Sequence, residues 1–402
     1  MQNKIILQLN ATANWGSTGK IAEGIGIAAI NRGWQSYIAY GRYMNPSKSQ
    51  LIKVGKQMDV YAHYGISHFF DREGLGSKRV TRNLINQINE LSPSIIHLHN
   101  IHDHWLNYPI LFEYLATIPA PIVWTFHDCW AFTGGCAHFI TYDCQKWKNH
   151  CENCIFRHNK IDHSKSNYEL KTKAVEKIKK KLTIISVSQW LDSLVSNSLF
   201  KSCEHNYIYN GIDLSVFTPK PTSSLDNKYN IGNKIVILGV SNVWPSFKGL
   251  NDFIELRKIL HDNYIIILVG LPTKSIRNLP AGIIGIERTT NTEELAALYT
   301  RADVVLSLSK AETFGMSLVE GLACGTPSIG YNITAIKEII HPSIGLSVAP
   351  GCIEKIKEAI EKVTSNELIN SETCRNRAKN HFDSVIQFNK YIDLYENLIK
   401  QQ

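Results

Sequence analysis

The chain has 402 residues, more than a single ordinary hydrophobic core accommodates, so two domains of similar size are the default. With 44% hydrophobic and 19% charged residues it has the composition of a folded protein, and no run approaches the roughly 18 to 20 apolar residues of a membrane span. A formal charge of +8 is modest for this length; without aromatic or groove-reading motifs it argues against nucleic acid as a partner, while leaving room for local basic patches that meet a diphosphate or an anionic lipid.

Lys4-Ile-Ile-Leu-Gln-Leu-Asn10 reads as a first strand. Its apolar run is too short for a signal peptide and no small-residue cleavage site follows, so a cytoplasmic location is expected. Asn14-Trp-Gly-Ser-Thr-Gly19 then enters a helix over Ile21 to Ile30, an arrangement that brings backbone amides at Gly16 and Ser17 close to a phosphate. Turns need glycine in any case, so this loop alone is a weak sign. Ser36 to Tyr40 is a second strand, and residues 45–78 are expected to form a helix and loop in which His63 and His68 are packing residues. Ser94 to His99 and Pro121 to Phe126 are further strands. Polar residues just beyond strand C-termini face the crevice of an open parallel sheet, which makes His127 and Asp128 site candidates and His99, Asn100 and His102 weaker ones on the same rim.

An insertion rich in turns and aromatics follows, carrying Cys136, Cys144, Cys151 and Cys154 of the nine cysteines. A reducing compartment disfavours a disulfide framework. The Cys151-Glu-Asn-Cys154 pair has tight zinc-ligand spacing, which leaves three readings open: a structural four-thiolate zinc site, free thiols, or a redox pair. Lysines 171, 173, 177, 179, 180 and 181 cluster ahead of a strand at Lys181 to Ser188, either as a solvated helix face or as a contact for an anionic membrane. Asn206 to Asp213 and Phe217-Thr-Pro219 mark the end of the first domain, with a polar connection after it.

Lys234 to Ser241 opens the second domain as a strand and runs through Asn242-Val-Trp-Pro-Ser-Phe-Lys-Gly249 into a helix, where Lys248 can hold a diphosphate as a point charge. Strands at Tyr264 to Gly270 and Ile283 to Ile286 and an amphipathic helix at Glu293 to Tyr299 precede the β-branched run Ala302 to Leu308. Next comes a turn holding Glu312 and a short helix holding Glu320, stopped by Gly325-Thr-Pro327. Gly315 relaxes the backbone where this helix starts, so amides at Gly315, Met316 and Ser317 can face an anion. Helices at Ile353 to Val363 and Phe382 to Ile399 complete the pattern.

Glu312-Thr-Phe-Gly-Met-Ser-Leu-Val-Glu320-Gly-Leu-Ala-Cys-Gly-Thr-Pro327 resembles the signature of the family-four retaining glycosyltransferases in spacing and residue type. The resemblance implies an α/β protein of GT-B fold, two Rossmann-like α/β/α domains facing a central cleft. They would span 1–207, with a C-terminal helix at about 382–402 packing back, and 208–381. It also implies a nucleotide-sugar donor and a saccharide acceptor, met at the cytoplasmic membrane face when the acceptor is lipid-linked, as in bacterial surface-polysaccharide enzymes that carry similar cysteine-bearing insertions. By resemblance Glu320 holds the ribose, Glu312 and His127 meet the sugar, and the segment Phe314 to Ser317 meets the diphosphate. The Gly16 and Ser17 loop closes over the donor, and Lys248 takes up the leaving charge. Asn242 stands six positions before Lys248 where the family pattern has an arginine, and Arg288, beside the expected nucleobase segment, is the proposed substitute. No cofactor is expected for catalysis, with structural zinc as the one metal considered. Rival readings are a phosphorylase or isomerase of the same architecture, or a nucleotide-sugar-binding regulator or inactive partner subunit, which Asn242 favours.

Overall fold

The computed structural model describes residues 4–157, 161–365 and 369–401. The chain divides into two compact units, Met1–Ile208 with Val385–Gln402, and Tyr209–Ser384.

The first unit is built on seven strands: β1 (Ile5–Asn10), β2 (Gln35–Tyr40), β3 (Gln50–Lys53), β4 (Ile95–Leu98), β5 (Ile122–Phe126), β6 (Leu182–Ser186) and β7 (Glu204–Tyr207). They lie in the order β3-β2-β1-β4-β5-β6-β7, all parallel, with Gln8 opposite His97 in the β1–β4 register. Strand order reverses between β1 and β4, the place where a doubly wound sheet opens a crevice at its C-terminal edge. β4 and β5 are buried at every residue, as strands covered on both faces must be.

The Ser384–Lys400 helix packs on this unit: Phe388, Tyr391, Ile392 and Tyr395 join Ile6, Ile25, Trp34, Ile95 and Val123 in one core. Its ring at Phe388 sits so close to Gly24 that a Cβ there would lie 2.1 Å from it. The helix begins two residues later than the periodicity predicts. Phe382 ends the preceding helix (Ser371–Phe382), because its carbonyl accepts from Ile212 N–H at 2.7 Å and Ser384 N–H returns to the Ile212 carbonyl at 3.0 Å, which pulls Asp383 into extended backbone.

The second unit carries β8 (Ile235–Val240), β9 (Tyr264–Val269), β10 (Ile283–Ile286), β11 (Val304–Ser307), β12 (Ser328–Tyr331) and β13 (Gly345–Val348), parallel in the order β10-β9-β8-β11-β12-β13. Its order reverses between β8 and β11, so the loops leaving those two strands emerge side by side. The core joins Ile237, Leu268, Leu306 and Ile329 of the sheet to Phe253, Leu256, Ile356 and Ile360 of the covering helices.

The lysine cluster is not the uniform basic face that its composition suggests. Lys171 is 4% exposed and donates to the carbonyls of Trp130 and Thr133. Lys177 pairs with Glu113 at 2.7 Å, Lys179 pairs with Glu176, and Lys181 donates to the carbonyls of Ala116 and Ile118. Lys173 and Lys180 are what remains as exposed charge outside these contacts. Helical spacing places Lys171 on the stripe of Ser164, Asn167, Tyr168, Ala174, Val175 and Ile178, all buried. Among the described residues no helix is long and apolar enough to cross a membrane.

Candidate active site

In the second unit the reversal of strand order assembles the charged centre. Lys248 lies in the loop after β8 and Glu312 in the loop after β11, and the two side chains form an ion pair, both partly buried. The loops are drawn together by the Lys310 N–H bond to the Phe247 carbonyl at 2.8 Å and by Gly249. Gly249 has φ +80°, and a Cβ there would stand 2.4 Å from the Leu308 carbonyl oxygen, so glycine is what lets the turn after Lys248 touch the end of β11.

Gly315, with φ +107°, is the N-cap of the Met316–Ala323 helix and offers no side chain to the orphan amides that follow. The helix start lies three positions after Glu312, and the ion pair brings Lys248 to the same β8–β11 edge. Phe314 is 2% exposed and its ring packs between Tyr209 and Phe382, so this residue anchors the turn through its side chain and leaves only its backbone for a ligand. Met316 and Ser317 are half-buried in the first turn. One turn further, Glu320 Oε2 accepts from Tyr299 Oη at 2.7 Å. Tyr299 is wholly buried, and this carboxylate satisfies its hydroxyl while holding its own rotamer. Sequence reasoning had no means of pairing Tyr299 with Glu320, because the partner sits on the preceding helix. Asn242 is exposed at the start of the Lys248 loop. Arg288 is exposed beyond β10, and β9 separates that strand from β8, so the sheet order does not bring Arg288 to Lys248.

In the first unit Gly16 has φ +66° and opens the Gly16–Asn31 helix after Trp15, which caps it with no side-chain bond, and Ser17 is exposed in its first turn. At the same edge a run of hydrogen bonds fixes the protons. Gln8 Nε2 donates to the Ala22 carbonyl at 2.8 Å, so Gln8 Oε1 accepts from His99 Nε2–H at 3.0 Å. His99 Nδ1 is left with a lone pair and accepts from His127 Nε2–H at 3.0 Å. Burial, partly offset by Asp128, lowers His127 to about 4, so at neutral pH it is an uncharged imidazole with an acceptor at Nδ1. Gln8 carries no sequence signal beyond an amide in an otherwise apolar strand.

Asp128 does something different from its neighbour. Its Oδ2 accepts from His102 Nε2 at 2.9 Å and its Oδ1 from Trp130 N–H at 2.8 Å. Burial opposes the imidazolium of His102, but the carboxylates of Asp128 and Asp103 outweigh it and hold His102 well above its ordinary value. Among the described residues Glu73, His102 and Asp103 offer ligand atoms within 4.8 Å of one another. An imidazolium donating to carboxylates has no lone pair for a metal, so the trio reads as an ion-pair knot. His63 is a structural residue: its Nε2 accepts from Gly74 N–H and Gly76 N–H at 3.2 and 3.1 Å while Nδ1 meets Ser77 Oγ at 2.9 Å.

These histidines set a pH dependence. Burial lowers His63 and His127 to about 4 and holds His97 and His99 well below their ordinary value. The unfolded chain therefore takes up protons first, and stability present above about pH 6.5 is lost as the pH falls toward 4, each site contributing at most about 1.4 kcal/mol per pH unit. His102, raised, works in the opposite sense: its contribution is complete below about pH 6.5 and is lost as the pH rises through its raised value. Urea unfolding followed by tryptophan fluorescence should show a net loss of roughly 2 to 4 kcal/mol between pH 7 and 5.5. A midpoint that rises on acidification would contradict the neutral histidine assignment.

The four insertion cysteines line one cavity of about 40 Å³, with Phe139, Tyr142 and Trp147. All nine cysteines of the chain are free thiols in the structure. Burial pushes the thiols of Cys136 and Cys151 up to about 12 and 11.

Two family models match the chain, the one described as Glycosyltransferase Family 4 over residues 25–216 and the one described as Glycosyl transferases group 1 over residues 222–381. A putative colanic acid biosynthesis glycosyl transferase, WcaC of Escherichia coli K12, is 23% identical over 98% of this chain and 100% of its own. The sucrose-phosphate synthase of Thermosynechococcus elongatus has a similar structure, with a TM-score of 0.73 at 15% identity over 100% of both chains. Anabaena HepE in complex with UDP is also similar in structure, with a TM-score of 0.68 at 14% identity over 98% of this chain and 100% of that one. Two parallel Rossmann-like sheets, a glutamate pair spaced as in the resembling signature and these matches to both parts of the sequence lead to one conclusion: the chain belongs to the family-four glycosyltransferases of GT-B fold and is a sugar-transferring enzyme.

Proposed function

We propose that this enzyme moves a sugar from a UDP- or GDP-sugar to a hydroxyl of a saccharide acceptor, with retention at the anomeric carbon, during assembly of a bacterial surface polysaccharide. The observation that carries the reading is the Lys248–Glu312 ion pair beside the Gly315 helix start. Breaking the anomeric bond puts negative charge on the departing diphosphate, and an ammonium with aligned amides is what that charge requires. Glu312, already held by Lys248, is the acceptor for donor-sugar hydroxyls, and Glu320, oriented by Tyr299, is the acceptor for the ribose. His127, an uncharged imidazole held by His99, is the residue of this edge that meets a sugar hydroxyl. The acceptor hydroxyl attacks on the face that the leaving phosphate departs from, and a phosphate oxygen receives its proton. Relatives supply the polysaccharide context: colanic acid for WcaC, and O-antigen for a mannosyltransferase, RfbU of Salmonella typhimurium, that is 24% identical over 51% of this chain and 53% of its own. Crystals of HepE with UDP and with UDP-glucose favour a uridine donor.

Incubating the protein with radiolabelled UDP- and GDP-sugars and a lipid extract should give a labelled glycolipid with one donor. Donor binding without transfer or hydrolysis for any of them would favour the regulatory reading instead.

A lipid-linked acceptor requires contact with the membrane surface, and the first unit supports this better on another face than the lysine cluster. The Gln57–Phe70 helix exposes Met58 (74%), Tyr61 (62%), Phe69 (66%) and Phe70 (55%), a band of apolar side chains with no core to join. Replacing Phe69 and Phe70 by serine is expected to lower sedimentation with anionic vesicles about tenfold, whereas Lys173→Gln changes it less than about twofold. Equal loss from both variants would return the contact to the lysines.

A further inference from the structure

The insertion after β5 is the least regular part of the first unit. From Trp130 to Arg157 its described secondary structure is four single-turn 3-10 helices, Trp130–Phe132, Phe139–Tyr142, Lys146–Lys148 and Ile155–Arg157. Such a segment buries little backbone in ladders and needs a staple to hold one conformation. Aromatic packing of Trp147 against Phe132 and Phe139, with centroids 5.2 and 5.0 Å apart, covers one side. Phe139 and Trp147 also border the cavity that Cys136, Cys144, Cys151 and Cys154 all line.

The backbone holds this pair of cysteines in a tight turn. Cys151 Sγ accepts from Gly134 N–H at 3.2 Å. The turn between Cys151 and Cys154 is closed by Asn153 in the left-handed region (φ 46°), and Lys146 Nζ donates to the carbonyls of Glu152 and Asn153 at 3.0 and 2.8 Å. Two cysteines three positions apart on such a turn have the spacing of a metal-binding pair.

We propose that Cys136, Cys144, Cys151 and Cys154 bind one zinc ion in a four-thiolate structural site that fastens the insertion beside Asp128 and Lys171. No three of these sulfurs lie within 4.8 Å of one another in the structure, so zinc binding would have to draw them together until each is about 2.3 Å from the ion.

Untagged protein purified without chelator should contain about one equivalent of zinc by mass spectrometry. Cys144→Ser and Cys154→Ser should each lower it below about a tenth of an equivalent, whereas Cys352→Ser in the second unit keeps it. Should the serine variants not fold, wild-type protein expressed in cobalt-supplemented medium gives an independent readout: a sulfur-to-cobalt charge-transfer band with intense tetrahedral d–d bands. Wild-type protein with less than about a tenth of an equivalent of any metal, and no such bands with cobalt, overturns the site. Zinc retained in full by Cys154→Ser overturns it equally.

Discussion

Lys248→Ala is expected to lower kcat by about 10² to 10³ while changing donor affinity less than about tenfold. The reasoning is one of timing. In the ground state the donor diphosphate is esterified and its charge is partly spread, whereas the departing nucleoside diphosphate gains a full unit as the anomeric bond breaks. An ammonium beside it is worth most at that moment. Lys248 is also the partner of Glu312, so a variant that strands a half-buried carboxylate would lose activity for a second reason. The double variant Lys248→Ala with Glu312→Gln, compared with Glu312→Gln alone, separates the two. If Lys248 only neutralised Glu312, the double variant would be no slower than Glu312→Gln. If Lys248 acts on the leaving group, it is slower by most of the Lys248→Ala effect. Steady-state kinetics with the donor found active, together with calorimetric donor binding, reads both quantities. Lys248→Arg keeps the charge but replaces a compact ammonium with a broad planar fork in a loop pressed against β11, and is expected to restore only part of the rate.

Glu320→Ala is expected to act on the other quantity, weakening nucleotide binding about 10- to 100-fold with a smaller change in kcat, because a carboxylate that accepts two ribose hydroxyls contributes equally before and during bond breaking. The structure supplies its own control. Tyr299 donates to Glu320 Oε2 at 2.7 Å from a fully buried position. Tyr299→Phe removes that bond and leaves the carboxylate in place, so it should change nucleotide affinity less than about fivefold. Calorimetry showing unchanged affinity in Glu320→Ala would remove the ribose role. A loss in Tyr299→Phe as large as in Glu320→Ala would mean that orientation of the carboxylate, not its presence, is what binding depends on.

Much of this arrangement was legible in the chain before its structure. Buried parallel strands advertise themselves as continuous β-branched runs, and β9, Tyr264–Val269, is one such run buried from end to end. The loops after β8 and β11 were readable because Lys248 and the run Glu312 to Pro327 resemble the family pattern in residue type and spacing. Edge strands were not. β3 is half exposed with Gln50 and Lys53 at its ends, and β7 reads Glu-His-Asn-Tyr, so neither shows an apolar period. Long-range partnerships were also hidden, since nothing in sequence ties Gln8 to His99 or Tyr299 to Glu320 across 91 and 21 positions. Lys171 is the instructive error. Counted by composition it belongs to a basic patch; placed on its helix, it falls on the apolar stripe and is buried.

Asn242 and Arg288 follow the same lesson. A missing arginine invites a search for another one nearby in the sequence, but sheet order, not sequence distance, decides which side chains meet. Arg288 leaves the sheet two strands from β8, so Lys248 and the amides after Gly315 form the positive centre that the fold itself brings together. At the strand edge of the first unit burial keeps His127 and His99 neutral, and the imidazolium of His102 is matched by Asp128 and Asp103.

A crystal soaked with uridine diphosphate or guanosine diphosphate tests the central claim most directly. The diphosphate should lie about 2.7 to 3.1 Å from the amides that open the Met316–Ala323 helix and from Lys248 Nζ, with the ribose hydroxyls on Glu320. A nucleotide bound away from residues 312–320 and from Lys248 would contradict it.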